Sequence, residues 1–280
     1  MTTTVGDLLR ELDGVVPAPE ARWLVEAAVG VPPIGPVLTE EVTERMVRHL
    51  EVMVGRLRAG EPLQYVLGRW SFRHLDLAVD QRVLIPRPET EQVAGLAIEI
   101  ASRVPGPRRV ADLGTGSGAI GLSMAVELPL DDTEVWITDV DPDALEVARA
   151  NLAGIGRAAR NVRVALGSWA EALPAGMAFD VIVSNPPYVA EGSPHLEPIV
   201  AAHEPARALL AGPDGLSALR RIAETVPSRL RPGGTLVLEI GFDQGQAVRS
   251  LLDGGGLVGI EVVRDASGHD RIVVARTSAT

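Results

Sequence analysis

Val110-Ala111-Asp112-Leu113-Gly114-Thr115-Gly116-Ser117-Gly118-Ala119-Ile120-Gly121 runs from an apolar, strand-like segment through three closely spaced glycines into a helical pattern. Glycines permit a tight turn and let a ligand approach the backbone beside a helix N-terminus. Outward from this stretch, short β-type runs recur at Arg109–Leu113, Glu134–Thr138, Asn161–Leu166, Phe179–Ser184, Thr235–Ile240, Leu257–Val263 and Arg271–Ala275. Helical patterns lie between most of them, at Glu89–Ser102, Gly118–Leu128, Asp143–Ala153, Gly215–Leu230 and Gln244–Leu252. Such alternation predicts an α/β fold: a parallel, doubly wound sheet with helices on both faces.

Upstream the text differs. Val5, Leu8, Leu9 and Leu12 recur at helical spacing behind a capping box of Thr4 and Asp7. Trp23, Leu24, Ala27 and Ala28 form a second stripe, and Thr39 is positioned to cap a third helix with Val42, Met46, Leu50, Met53 and Leu57 on its face. Leu63 to Ile85 reads as short alternating runs, which suggests a hairpin connector. The expected organisation is a helical domain over 1–62, a connector over 63–85 and the α/β domain over 86–280. The long connection Tyr188–Pro213 is a candidate functional loop.

Composition removes whole classes of chemistry. All 26 basic residues are arginine, and the chain has no cysteine. Schiff-base catalysis, Walker A phosphate loops and kinase-type clamps need the missing lysine; thiolate nucleophiles, disulfides and Cys-based zinc sites need the missing thiol. The five histidines, His49, His74, His195, His203 and His269, show no metal-ligand spacing, and His203-Glu204-Pro205 rules out an HExxH zinc motif, so no metal is expected. A net charge of −11 weighs against a nucleic-acid substrate. There is no membrane-length apolar run and no apolar leader, so a cytoplasmic protein is expected, with a monomer as the default.

The glycine loop alone is ambiguous. Gly116-x-Gly118-x-x-Gly121 matches the dinucleotide fingerprint, with Asp139 near where a ribose-binding acid belongs, so a nicotinamide oxidoreductase competes. Alternatively, Asp112-x-Gly114-x-Gly116-x-Gly118 resembles the first motif of S-adenosylmethionine (SAM) methyltransferases. Asn185-Pro186-Pro187-Tyr188, directly after the strand-like Phe179–Ser184, would border the same crevice at the carboxyl edge of the sheet. Its prolines fix φ and stiffen the loop, which pre-aims the Asn side chain and the nearby carbonyl. Nothing in a dehydrogenase calls for that tetrapeptide.

Asn-Pro-Pro-Tyr after the fourth strand resembles methyltransferases that act on planar amino groups, either adenine N6 or glutamine amides. Gln64-Tyr65-Val66-Leu67-Gly68, Leu84-Ile85-Pro86-Arg87-Pro88-Glu89-Thr90-Glu91, Glu204–Leu209 and Pro232–Gly241 narrow the resemblance to the release factor glutamine methyltransferases (HemK/PrmC type). The similarity carries motif detail from about residue 60 onward; residues 1–60 share mainly a helical character. The resemblance implies a seven-stranded, Rossmann-like class I SAM-dependent methyltransferase domain behind a small helical substrate-recognition domain and a hairpin connector. It also implies N5 methylation of the glutamine in the Gly-Gly-Gln motif of peptide chain release factors, with S-adenosyl-L-homocysteine as co-product. The alternatives are adenine N6 methylation of RNA or DNA and a SAM-binding protein without activity.

By the same resemblance, Asn185 and the carbonyl of Pro186 would accept the substrate amide hydrogens. Pro187, Tyr188 and Phe72 would wall the substrate pocket, although plain core packing is the other reading of Phe72. Asp112, Gly114, Thr115, Gly116, Ser117 and Gly118 would wrap the methionine part of SAM, with Asn185 beside it. Asp139 would take the ribose, and Ser168 and Trp169 the adenine. The family commonly carries an Asp where this chain has Ser168. Arg87 and Glu89 are weaker candidates, equally explained as the start of a helix.

Overall fold

The computed structural model describes residues 3–279. They form two compact units that part between Arg69 and Trp70. The first holds α1 (Val5–Glu11), α2 (Ala18–Val29), α3 (Glu44–Arg58) and α4 (Leu63–Leu67). Thr4 caps α1 in the expected box: its hydroxyl accepts the Asp7 N–H, and the Asp7 carboxylate accepts the Thr4 N–H. The cap of α3 is Thr43, which accepts the Met46 N–H, and not Thr39, which lies in a turn. Trp23 is 41 % exposed; the inward stripe of α2 is Ala21, Leu24, Val25 and Ala28.

The expected connector over 63–85 is helical in its first residues. Pro62 leads into α4 with φ −54°, and Gly68 ends it in the left-handed region at φ +71°. Leu63 and Val66 then bury against Leu24, Leu50 and Met53, so α4 belongs to the helical core. The Arg56 guanidinium fixes it there, donating to the Glu61 carboxylate (2.6 and 2.7 Å) and to the carbonyls of Tyr65 (3.0 Å) and Val66 (3.3 Å). The unit boundary therefore falls after Arg69, later than the expected 62/63.

A hairpin follows, β1 (Arg69–Phe72) and β2 (Leu75–Ala78). At its turn Arg73 grips both oxygens of Glu127 (2.8 and 2.7 Å). Asn151 holds β2 through the N–H and carbonyl of Ala78 and also donates to the Ser117 carbonyl (2.8 Å), tying hairpin to glycine loop.

The main sheet comprises β3 (Arg108–Leu113), β4 (Thr133–Asp139), β5 (Val162–Leu166), β6 (Phe179–Ser184), β7 (Leu230–Glu239), β8 (Val258–Arg264) and β9 (Asp270–Arg276), in the order β5-β4-β3-β6-β7-β9-β8. All pairings are parallel except those of β9 with its two neighbours. The helices of this unit are α5 (Pro88–Ser102), α6 (Ala119–Glu127), α7 (Pro142–Gly154), α8 (Pro198–His203), α9 (Ala206–Leu209), α10 (Ser217–Thr225) and α11 (Gly245–Gly254). α10 ends at Thr225, short of the expected Gly215–Leu230: Pro227 has no N–H to continue the helical bonds, and the chain passes through a helical Val226 into a short 3-10 turn over Pro227–Arg229. α8 and α9 sit inside the long connection 188–213, which is closed by a bridge between Val189 and Leu210.

Register positions the site. Leu113 pairs with Thr138 and with Ser184, and Ser184 pairs with Leu238. The next residue on each strand, Asp139, Gly114, Asn185 and Glu239, therefore stands at one level along the carboxyl edge. Neighbouring strands lie about 4.8 Å apart.

Candidate active site

The glycine loop turns on three residues with positive φ: Gly114 (+71°), Gly116 (+55°) and Gly118 (+89°). A side chain at Gly121 would place its Cβ 2.3 Å from Ile137 Cγ2, so α6 lies closer to β4 than any other residue would allow. Asp112 is buried beneath the loop. Its Oδ2 accepts from the Thr115 hydroxyl (2.6 Å) and the Gly121 N–H (2.9 Å). Its Oδ1 is buried with no partner among the described residues. Burial drives the carboxyl pKa up to about 6, against the lowering effect of those two bonds. An unpaired buried carboxylate oxygen in a cleft wall fits a cationic donor from a ligand.

Asp139 accepts the N–H groups of Gly116 and Asp141 (both 2.9 Å), which joins the first loop to the second. Its pKa is raised, chiefly by burial. Trp169 adopts φ +45°, a strained conformation for a bulky residue, and its ring lies within 3.3 Å of where a Gly114 Cβ would stand.

Two cavities meet at this edge. The first, with a volume of about 150 Å³, is lined by Asp112, Gly114–Ser117, Asp139, Ser168, Trp169, Asn185 and Pro187, with Val140, Thr90 and Arg207 among the rest. Thus the structure gathers every residue expected at the cofactor except Gly118, which forms the N-cap of α6 and presses on Leu122. The second cavity is lined by Asn185, Pro186, Tyr188, Arg87, Glu239, Phe242 and Gln244, among others. Asn185, Leu84 and Ala208 line both cavities. Phe72 lines neither: at 1 % exposure it is a core residue of the hairpin, so core packing is its role here. Glu89 also lies outside both linings, whereas Arg87 pairs with the buried Glu204, which in turn accepts the Ile85 N–H (3.0 Å).

Sequence reasoning assigned no role to three further residues. The Asn185 Nδ2 donates to Thr90 Oγ1 (3.1 Å), Thr90 donates to Glu239 Oε2 (2.6 Å), and the Tyr188 hydroxyl donates to Glu239 Oε1 (3.1 Å). Glu239 is wholly buried and its pKa is raised, first by that burial. Burial and the Glu239 charge also push the Tyr188 phenol up, so it stays protonated. Gln244 donates to the Tyr188 carbonyl (2.9 Å) and accepts the Gly241 N–H (2.9 Å), which fixes the far end of the tetrapeptide. The only sequence hint was that Thr90 and Glu239 sit inside the quoted family motifs.

The family profile described as "Methyltransferase small domain" matches residues 97–212, and that described as "PrmC N-terminal domain" matches residues 5–68. A protein of Bordetella pertussis named release factor glutamine methyltransferase is 41 % identical over 280 residues, covering 96 % of this chain and 98 % of its own length. One of the same name from Xylella fastidiosa is 45 % identical over 226 residues, covering 81 % of this chain and 80 % of itself. The solved structure of a methyltransferase from Pyrococcus furiosus shares the fold at 19 % identity, with a TM-score of 0.54 over 83 % of this chain and 98 % of that one. With its N-terminal residues matched by the PrmC N-terminal domain profile and a relative 41 % identical over nearly the whole of both chains, the chain belongs to the release factor glutamine methyltransferase family.

Proposed function

We propose that this protein transfers a methyl group from SAM to the side-chain amide nitrogen of the glutamine in the Gly-Gly-Gln motif of peptide chain release factors. The observation that carries this reading is Asn185 standing on the wall between the two cavities, level with the glycine loop. The names of the relatives supply the substrate.

When bound, SAM supplies an electrophilic methyl on a sulfonium. The unpaired Oδ1 of Asp112 fits the ammonium of its methionine part, with Gly114, Thr115, Gly116, Ser117 and the Gly118 turn around the chain. Asp139 suits the ribose hydroxyls, and Val140, Ser168 and Trp169 the adenine. In the second cavity, Asn185 Oδ1 and the Pro186 carbonyl accept the two amide hydrogens and Tyr188 borders the amide plane, while Pro187, expected at the substrate, lines the first cavity instead.

An amide nitrogen is a poor nucleophile because its lone pair is delocalised into the carbonyl. Two acceptors on its hydrogens orient that lone pair toward the methyl and favour positive charge developing on nitrogen. No base is required before transfer, since the nitrogen becomes acidic only as the new bond forms. The helical unit ending at Arg69 is our candidate for gripping the release factor, in the cytoplasm where such factors act.

Fragment mass spectrometry of a release factor incubated with the protein and SAM tests the reading. One added methyl on the Gly-Gly-Gln glutamine is expected. Methylation of RNA or DNA with an unmodified factor would overturn it in favour of the adenine reading.

A further inference from the structure

Oδ1 and Nδ2 of an Asn side chain have nearly the same shape, so something must choose which of them faces the substrate. Here Asn185 Nδ2 donates to Thr90, while Asn185 Oδ1 accepts no bond among the described residues. The Thr90 hydroxyl has one hydrogen, and it is directed to Glu239 Oε2 at 2.6 Å. Glu239 acts as an acceptor at both of its oxygens, from Thr90 at one and from the Tyr188 hydroxyl at the other. Thr90 must therefore donate to Glu239 and can offer Asn185 only a lone pair. A flipped Asn185 would put two acceptors face to face.

We infer that Thr90 and Glu239 are positioning residues that select the flip of the Asn185 amide and so keep Oδ1 as the acceptor for the substrate nitrogen. This rests on the glutamine-amide reading above. Glu239 stands one strand from Asn185 at the same level of the sheet, and Thr90 reaches both from the first turn of α5, which packs on β6 and β7. The other oxygen of Glu239 accepts from Tyr188, so one buried carboxylate indexes both ends of the Asn-Pro-Pro-Tyr segment. Arg271 on β9 favours its charged form, whereas burial and Glu89 oppose it. Neither Thr90 nor Glu239 has to touch the substrate nitrogen for this.

The test is steady-state kinetics at saturating SAM and release factor, with SAM binding measured separately as a check on folding. Thr90→Val keeps the shape and removes the relay; Glu239→Gln keeps the shape but can donate to Thr90. Each is expected to lower kcat about tenfold or more while SAM Kd stays within about threefold, and Thr90→Ser is expected to restore most of the turnover. In an Asn185→Ala background, Thr90→Val should add nothing, since both act through one amide. Wild-type kcat in Thr90→Val, a loss confined to SAM Kd, or an equal further loss on top of Asn185→Ala would overturn the inference. Wild-type kcat in Glu239→Gln would remove Glu239 from the relay. A wild-type protein that never methylates the glutamine would instead count against the proposed function, so the two failures are distinct.

Discussion

The Asp112 carboxylate, buried with one oxygen unpaired and its pKa pushed up to about 6, links cofactor binding to pH. A raised folded pKa means that this group adds stability below its ordinary value and loses it as pH rises through about 6. Binding an ammonium needs the ionised form, so affinity should run the opposite way and weaken by about tenfold between pH 7 and pH 5. Titration of SAM binding across that range checks it, and Asp112→Asn should bind weakly with a flat profile. Asp112 and the Asn-Pro-Pro-Tyr segment were legible because each is a contiguous motif with its chemistry on its face. Thr90 and Glu239 were not: they lie 149 residues apart, and their 2.6 Å bond exists only once α5 lies on β7. For Phe72 the sequence left pocket wall and core packing both open, because a lone aromatic does not show which way a hairpin side chain packs; here it is buried in the core.

Among the elements, all seven main-sheet strands overlap the expected β-type runs. β3 and β6 are buried along nearly their whole length and carry short apolar runs, whereas the edge strands β5 and β8 are mostly unburied and are marked only by their branched residues. The misses have local causes. α4 has only five residues, too few for helical periodicity to show. The expected cap Thr39 lies in a turn upstream of the helix, and the cap is Thr43, whose hydroxyl accepts the Met46 N–H. The contact of α6 with the sheet depends on Gly121, where an added methyl would meet Ile137 Cγ2 at 2.3 Å. Gly121→Ala is expected to destabilise the fold by about 1–3 kcal/mol through overpacking, seen as a lower urea midpoint with an unchanged slope. Its helical φ makes the effect steric, so Gly121→Ser should be at least as damaging.

At the scale of the molecule, site assembly follows from register. β4, β3, β6 and β7, widely separated in sequence, reach one level at the carboxyl edge, and Asp139, Gly114, Asn185 and Glu239 become neighbours there. Strand order was not readable from the text, although the alternation of strands and helices was. Among the described residues no helix is long and apolar enough to cross a membrane. The net charge of −11 disfavours the phosphate backbone as a partner. Mixed RNA or duplex DNA is therefore expected to bind no more tightly than about 10⁻⁴ M at physiological salt, the weak end of non-specific binding. Fluorescence anisotropy checks this; micromolar binding with a steep salt slope would contradict it.

Asn185→Ala gives the sharpest cut, because it removes the substrate acceptor and leaves the glycine loop intact. Single-turnover methylation of a release factor and SAM titration, run on the same preparation, separate the two roles. Turnover should fall by at least about a hundredfold while SAM Kd changes by no more than about threefold, as expected when an interaction formed mainly in the transition state is lost. A large loss of SAM affinity with normal turnover at saturation would contradict the assignment.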